Sequence, residues 1–476
     1  MAGSGAVGRL AQKLWRFGRV VAGQPIPETH PHLLLEGQLW PGVSAAEFAT
    51  RRRRLADAMP PGGIAVVPAA SPVFMTGAIP YQYRQDADFL YLTGINQQAV
   101  AVIEASSPMR DGNFTLFIQD SNPQAEAWNG TPMNADAAAE VFGADEVYPM
   151  SELEQQLEAM VAVSGAVFYD RGEERTTAPC EHGRLHQAML IALQQRRVHP
   201  LKPTLHPMRR GPEWQKSAAE LDLMRQSASL AAKSLTRCMQ LTRPGVDEHF
   251  LGATFEYECK ARGAQRLAYP VVVAGGVDSC IIHYLQNNKR VHEGELLLMD
   301  AGCELHGYSS DVTRTWPVSG TFTRHQREVY EIVLDTHRQC LDICRAGRTL
   351  RDVHHMSVQL LSEGVASLGL FPGLDAGAIA HNAYRTVYPH SVGHWLGMDT
   401  HDTRCIGHDA PMRAGVVLTI EPGLYIPNDP QLYGPYAGIG VRIEDDVAVT
   451  GLTDPEVLSA GVPVDAREIE LLVQGK

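Results

Sequence analysis

Residues 294–317 read GELLLMDAGCELHGYSSDVTRTWP, and the fold turns on what this stretch becomes. Leu296 to Met299 is a short unbroken apolar run, the composition of a strand that fills a sheet interior. Ala301-Gly302 and His306-Gly307-Tyr308 give the backbone room to reverse, so a second strand returns from Asp311 towards Pro317. Each strand carries one aspartate, Asp300 and Asp311. An aspartate closing an apolar strand is costly to bury unless a partner neutralises it, and two facing each other repel. A cation is the simple resolution. One turn-capping Asp beside one exposed Asp is the plain alternative, and the hairpin alone leaves it open.

Working outward, the segment YPHSVGHWLGMDTHD at 388–402 holds His390, His394 and His401. Val417 to Ile420 is another apolar strand, ending in Glu421 and followed by Pro422-Gly423. A third strand at 438–449 carries Glu444 in its middle, and a glutamate inside an apolar strand is seldom unpaired. The period of two puts Arg442 on the same face, where a guanidinium would hold the carboxylate ionised. Four carboxylates and a histidine (Asp300, Asp311, Glu421, Glu444 and His394) make a hard, oxygen-rich set that suits Mn²⁺ better than a thiolate-built zinc site. Four carboxylates exceed the needs of one divalent ion, and bridging ones could hold two. The five positions span 144 residues, so this is a tertiary inference and no local motif.

The N-terminal half has its own pattern. A helix runs through Arg51–Arg54, a basic run expected to form a solvated helix face. Strands are expected at 64–68, 88–94, 99–103, 114–118 and 166–170, with a helix near 151–162. Strands alternating with helices predict a compact α/β unit over 28–205, closed by a proline-dense linker near 200–210. The second domain, 206–476, opens with helices at 213–241 and 247–262, with Asp247 as candidate N-cap, and has two more at about 324–345 and 350–368.

At 476 residues and −13 net charge, neither nucleic acid nor anionic lipid is expected as the main partner. No run of roughly 18 or more apolar residues is present, so no membrane span is predicted. The eight cysteines are scattered without a disulfide framework, and Cys340 with Cys344 reads as helix packing. Residues 1–27 contain Arg9, Lys13, Arg16 and Arg19 and no acid. Leu10, Leu14, Phe17 and Val21 would fall within roughly 60° on a helix, the composition of a mitochondrial transit peptide. Its removal would take the net charge from −13 to −17. An ordinary basic tail on a cytoplasmic protein is the alternative.

DAG at 300–302, SDVTRT at 310–315, HSVGHWLG at 390–397, EPGLY at 421–425 and RIEDD at 442–446 occur in the order and spacing of the pita-bread metallopeptidases. The combination resembles the aminopeptidase P (Xaa-Pro aminopeptidase) family, and YRQDADFLYLTG at 83–94 resembles that family's first domain. GQPIPETHPHLL at 23–34 is similar to its mitochondrial members. The resemblance covers about 24–460. It implies an α+β architecture: a C-terminal pita-bread (creatinase/aminopeptidase) fold preceded by an α/β N-terminal aminopeptidase P domain. It implies release of the first residue from peptides with proline second, two divalent metal ions, and a homodimer. By the resemblance Asp300 ligates one ion, Asp311 and Glu444 bridge, and His394 with Glu421 completes the other. Glu421 is then the candidate general base. His283 and His401 would bond the scissile carbonyl or the oxyanion, and His390 and Tyr269 would line the substrate pocket. Tyr425 and Arg442 would support the ligands from behind. By itself His283 could equally be a core histidine, and Tyr269 alone reads as a core tyrosine. Leu90 departs from the tryptophan of several bacterial members and bears on pocket size. Prolidase, which takes Xaa-Pro dipeptides only, shares these catalytic residues. A non-catalytic peptide- or partner-binding pita-bread protein is the alternative of another class, distinguishable by a bound-metal assay.

Overall fold

The computed structural model describes residues 20–106, 112–169, 198–199, 215–403 and 405–475. The chain divides into two compact units, Met1–Pro212 and Glu213–Lys476. The expected linker near 200–210 lies outside the described residues.

In the first unit, helix α1 (Ala45–Ala58) starts at Ser44, whose hydroxyl accepts from Glu47 N. Strand β1 (Gly63–Pro68), helix α2 (Ala87–Thr93), strands β2 (Ala99–Glu104), β3 (Phe114–Ile118) and β4 (Glu146–Pro149), helix α3 (Leu153–Val163) and strands β5 (Ala166–Phe168) and β6 (Val198–His199) follow. They build one mixed six-stranded sheet in the order β6-β5-β1-β2-β3-β4.

Two expectations fail here. Residues 88–93 are helix, not strand, with Gly94 as the cap. Asp86 caps the Asp88 and Phe89 N–H groups at 2.9 Å each, and Gly94 at φ +69° ends the helix. Every residue of α2 is buried, so no polar face marks a helical period, and a helix apolar all round reads as a buried strand. The basic run is a solvated face only in part: Arg53 and Arg54 are exposed, but Arg51 and Arg52 are buried. Arg51 Nη1 donates to Tyr91 O at 3.2 Å and Arg52 Nη1 to Leu92 O at 3.0 Å, carbonyls in the last turn of α2. Their guanidinium planes cover Tyr91 and Phe114 at 4.1 and 4.2 Å.

The described part of the basic leader is docked. Val21 exchanges two hydrogen bonds with Asn134, Gln97 Nε2 donates to Ala22 O at 2.7 Å, and Gln24 bridges Gly94 O and Asn96 N.

The second unit begins with helices α4 (Ala218–Leu241), closed at its start by a Ser217–Glu220 capping box, and α5 (Glu248–Ala261). Asp247 sits at the N-cap of α5 without a side-chain capping bond. Strands β7 (Arg266–Leu267), β8 (Val272–Gly275), β9 (Leu296–Ala301), β10 (Cys303–Leu305), β11 (Tyr308–Ser309) and β12 (Val312–Pro317) come next. The expected hairpin exists but is broken in two: β8-β9-β12 form one sheet, and the tip folds into a second, β7-β10-β11. Gly302 is the break. A Cβ there would lie 1.8 Å from Ser310 O, which no side chain tolerates. Helices α6 (Arg324–Ile343) and α7 (Leu350–Ser367) each start with a threonine capping box. Strands β13 (Val417–Ile420), β14 (Gly423–Tyr425), β15 (Gly440–Arg442), β16 (Asp445–Ala448) and β17 (Glu456–Val457) complete the sheets. Trp316, Phe255, Val329, Tyr330, Leu424 and Val441 share one core with α4, and Cys340 and Cys344 are buried in a neighbouring one. Among the described residues no helix is long and apolar enough to cross a membrane.

Candidate metal centre

Strands β9 and β12 pair antiparallel with Asp300 opposite Thr313, which brings Asp300 beside Asp311 at the start of β12. The Tyr269 hydroxyl joins the two aspartates, donating to Asp300 Oδ1 at 2.6 Å and meeting Asp311 Oδ1 in a short contact. Glu444, in the step between β15 and β16, bonds through its N–H to Thr313 O at 3.0 Å. The strand expected over 438–449 is therefore split at this glutamate. His394 lies along β13, with N–H to Thr419 Oγ1 at 3.1 Å and C=O from Thr419 N at 2.9 Å. That approach needs Gly393, where a Cβ would meet Thr419 O at 1.9 Å. Glu421 N bonds Val392 O at 2.8 Å.

These backbones bring five predicted side chains together. One ligand atom each of Asp311, His394 and Glu444 lie within 4.8 Å of one another. His394 Nε2 is 3.3 Å from Asp311 Oδ2 and 3.7 Å from Glu421 Oε1. Asp300 is tied in by Tyr269 and by a short ion pair with Arg442 Nη2. Arg442 also reaches Glu444 Oε2 at 3.9 Å and donates to the Tyr425 hydroxyl at 2.9 Å.

Burial, then the charges of Asp311, Glu421 and Asp300, pushes the Glu444 carboxyl far above its ordinary range. Burial likewise raises Glu421 to about 7 and raises Asp300 against the pull of Arg442. Burial alone would lower His394, but its bond to Asp311 and the Glu421 charge outweigh it and raise the imidazole to about 9. Four half-buried or buried carboxylates around one guanidinium lack positive charge, and the oxygen-rich donor set fits divalent cations.

His390 is arranged differently. Its Nδ1 lies 2.7 Å from Ser391 O, an acceptor, so Nδ1 carries the hydrogen. Its Nε2 then accepts from the Tyr425 hydroxyl at 2.8 Å, which in turn accepts from Arg442. Burial and Arg442 lower this imidazole to about 3, so it is neutral near pH 7. The exposed His401 stands edge-on to His394, ring centroids 4.4 Å apart. His283 is exposed.

Several contributing residues escaped the sequence reading. Asp446 receives the Asp311 N–H on both carboxylate oxygens, at 3.1 and 3.2 Å. Arg314, wholly buried, donates to Glu444 O at 2.7 Å and Asp445 Oδ1 at 2.7 Å. The buried pair Lys216–Asp402, 3.1 Å, sits next to His401. For Arg314 and Asp446 the signal is a charged residue within an apolar strand, whose partner cannot be read locally; Lys216 and Asp402 lie outside strands and carry no such signal.

Proton linkage follows from these shifts. In metal-free protein Glu421, at about 7, stands above 4.5, and His394, at about 9, stands above 6.5. Both bind protons more tightly folded than unfolded, so stability falls as pH rises through these windows. Cations displace those protons, so metal affinity climbs with pH. The Tm of metal-free protein is expected to drop between about pH 5 and pH 9, and the Tm gain on adding Mn²⁺ to be larger at the upper end. A metal-free Tm that rises over that range contradicts this assignment.

The family described as metallopeptidase family M24 matches residues 222–451, and the aminopeptidase P N-terminal domain matches residues 48–169. The mitochondrial intermediate cleaving peptidase 55 of Arabidopsis thaliana is 40% identical over 95% of this chain and 87% of its own. Human Xaa-Pro aminopeptidase 3 is 38% identical over 94% and 90%. The solved proline aminopeptidase P II of Yersinia pestis superposes with a TM-score of 0.84 at 34% identity, covering 91% of this chain and all of that one. The chain has the two-domain pita-bread architecture of the M24 metallopeptidases, and it belongs to their Xaa-Pro aminopeptidase family.

Proposed function

We propose that this chain, a metallo-aminopeptidase of the Xaa-Pro type, works with two divalent cations, Mn²⁺ by preference, held by Asp300, Asp311, His394, Glu421 and Glu444. The observation carrying this is the gathering of Asp311, Glu421 and Glu444 about His394, with Asp300 joined to Asp311 through Tyr269 and burial and mutual repulsion raising the Glu444 carboxyl. When bound, the cations supply Lewis-acid activation of water and of the scissile carbonyl. Glu421 takes the proton of the attacking water and returns it to the departing proline nitrogen. An amine leaves the tetrahedral carbon only when its nitrogen is protonated, so the proton must be delivered. His401 and His283 donate to the carbonyl oxygen as it gains charge. Neutral His390, locked by Tyr425 and Ser391, presents a fixed ring face to the substrate's proline. Tyr269 completes the pocket wall, and Arg442 keeps Asp300 and Glu444 in place.

The deciding experiment compares Xaa-Pro-Xaa with Xaa-Pro, using metal-stripped protein with and without Mn²⁺. Mn²⁺-dependent release of the first residue from the tripeptide is expected. Cleavage of the dipeptide alone would make it a prolidase. Tight metal binding with neither substrate cleaved would leave a peptide-binding protein.

Mitochondrial placement is supported by the basic leader and by the mitochondrial name of the Arabidopsis relative. The docked segment from Val21 supports a processing point earlier than residue 27, so the mature N-terminus is expected at or before Val21 when sequenced. A homodimer agrees with the exposed apolar hairpin side chains Phe74, Met75 and Ile79. Light scattering that returned only monomer would remove that part.

A further inference from the structure

We infer that two buried threonine hydroxyls, Thr313 and Thr419, fix the carboxylates of Glu444 and Glu421 in the geometry that meets the cations. This rests on the ligand assignment proposed above. Both threonines are fully buried, Thr313 in β12 and Thr419 in β13. A buried strand position favours valine, which has the same shape, and a hydroxyl there is costly unless it is hydrogen-bonded. Each hydroxyl is satisfied in the same sense. Thr313 Oγ1 accepts from Arg442 Nε at 3.1 Å and donates to Glu444 Oε2 at 2.5 Å. Thr419 Oγ1 accepts from the His394 N–H at 3.1 Å and donates to Glu421 Oε1 at 3.3 Å.

The direction is forced. A guanidinium N–H and an amide N–H can only donate, so each hydroxyl's single proton goes to the carboxylate when that group is ionised to meet a cation. One oxygen of each glutamate is thereby engaged, its rotation is restrained, and the other oxygen remains for a cation. The spacing repeats as well. Thr313 is two residues after Asp311, and Thr419 is two residues before Glu421, the alternation that places neighbours on one strand face. Thr419 also couples two candidate ligands directly, because its donor is the backbone of His394. Thr315 continues the β12 face by bonding Arg442 N and O at 3.2 and 3.0 Å, which steadies the strand that supplies Glu444.

The test is Mn²⁺ affinity by chelator competition, with kcat and KM measured at saturating metal. Thr313→Val and Thr419→Val are each expected to weaken Mn²⁺ binding about 10- to 100-fold, with KM for peptide little changed. Alanine and serine at each position differ only by the hydroxyl, so they decide the matter if a valine variant does not fold. Serine near wild type with alanine weak supports the inference. Equal losses in both mean that methyl packing matters, and overturn it. Glu444→Gln and Glu421→Gln separate the two layers. If neither changes metal affinity, the ligand assignment falls. If both lose metal while the hydroxyl-free variants bind like wild type, this inference alone falls.

Discussion

Asp311→Asn is expected to lower kcat/KM for Xaa-Pro peptides by at least about a thousandfold and to weaken Mn²⁺ binding with it. The substitution keeps the shape and removes the charge. Asp311 sits where Tyr269, His394 and Glu444 converge, so no neighbouring oxygen can take its place without moving a strand. Activation of water and carbonyl by bound cations is worth several kcal/mol, and each ~1.4 kcal/mol is tenfold in rate. The fold should survive, because Asp446 holds the backbone N–H of residue 311 and not its side chain. In metal-free protein the substitution should relieve the raised Glu444 carboxyl and weaken the bond that raises His394, so the melt should change little. Steady-state kinetics with a thermal melt of the stripped protein checks both halves. A variant that keeps near-normal activity would show that Asp311 holds no cation.

Arg442→Met is expected to cost about 3–5 kcal/mol of stability and most of the activity, because it leaves carboxylates buried without their partner. Arg442 is 1% exposed and serves three directions at once: Asp300, the Tyr425 hydroxyl and the Thr313 hydroxyl. Its guanidinium is held fully charged by Tyr425, Asp300 and Glu444 in spite of burial. Arg442→Lys should recover little. An ammonium on a flexible stem cannot reproduce a planar fork that makes three separate bonds. Loss of the bond to Tyr425 would also free His390, so KM for proline-containing peptides should rise in both variants. Denaturant unfolding at saturating Mn²⁺, beside the kinetics, reads the effect. A lysine variant equal to wild type would reduce Arg442 to a simple counter-charge.

Three of the five candidate ligands were legible in the sequence because each interrupts an apolar run, as Asp300 and Glu421 do at strand ends and Glu444 does within one. Such a residue must be compensated wherever the strand is buried, so the sequence marks candidate side chains, and the resemblance to the aminopeptidase P family supplied their roles. The α/β character of the first unit followed from alternation in the same way.

What compensates what was decided only by tertiary structure. Thr313 bonds a glutamate 131 residues away, Arg314 reaches Asp445 across a similar gap, and Lys216 meets Asp402 at a separation of 186. The hydrogen positions on His390 follow from a tyrosine 35 residues on. Helix α2 was hidden for a related reason: with every side of it buried, its period left no trace in polarity. Arg51 and Arg52 looked like surface because charge next to charge usually is, yet carbonyls at the end of that unseen helix accept them. Local sequence states which groups must find a partner. Only the closed fold, which brings distant strands and helix ends together, determines which partner each one finds.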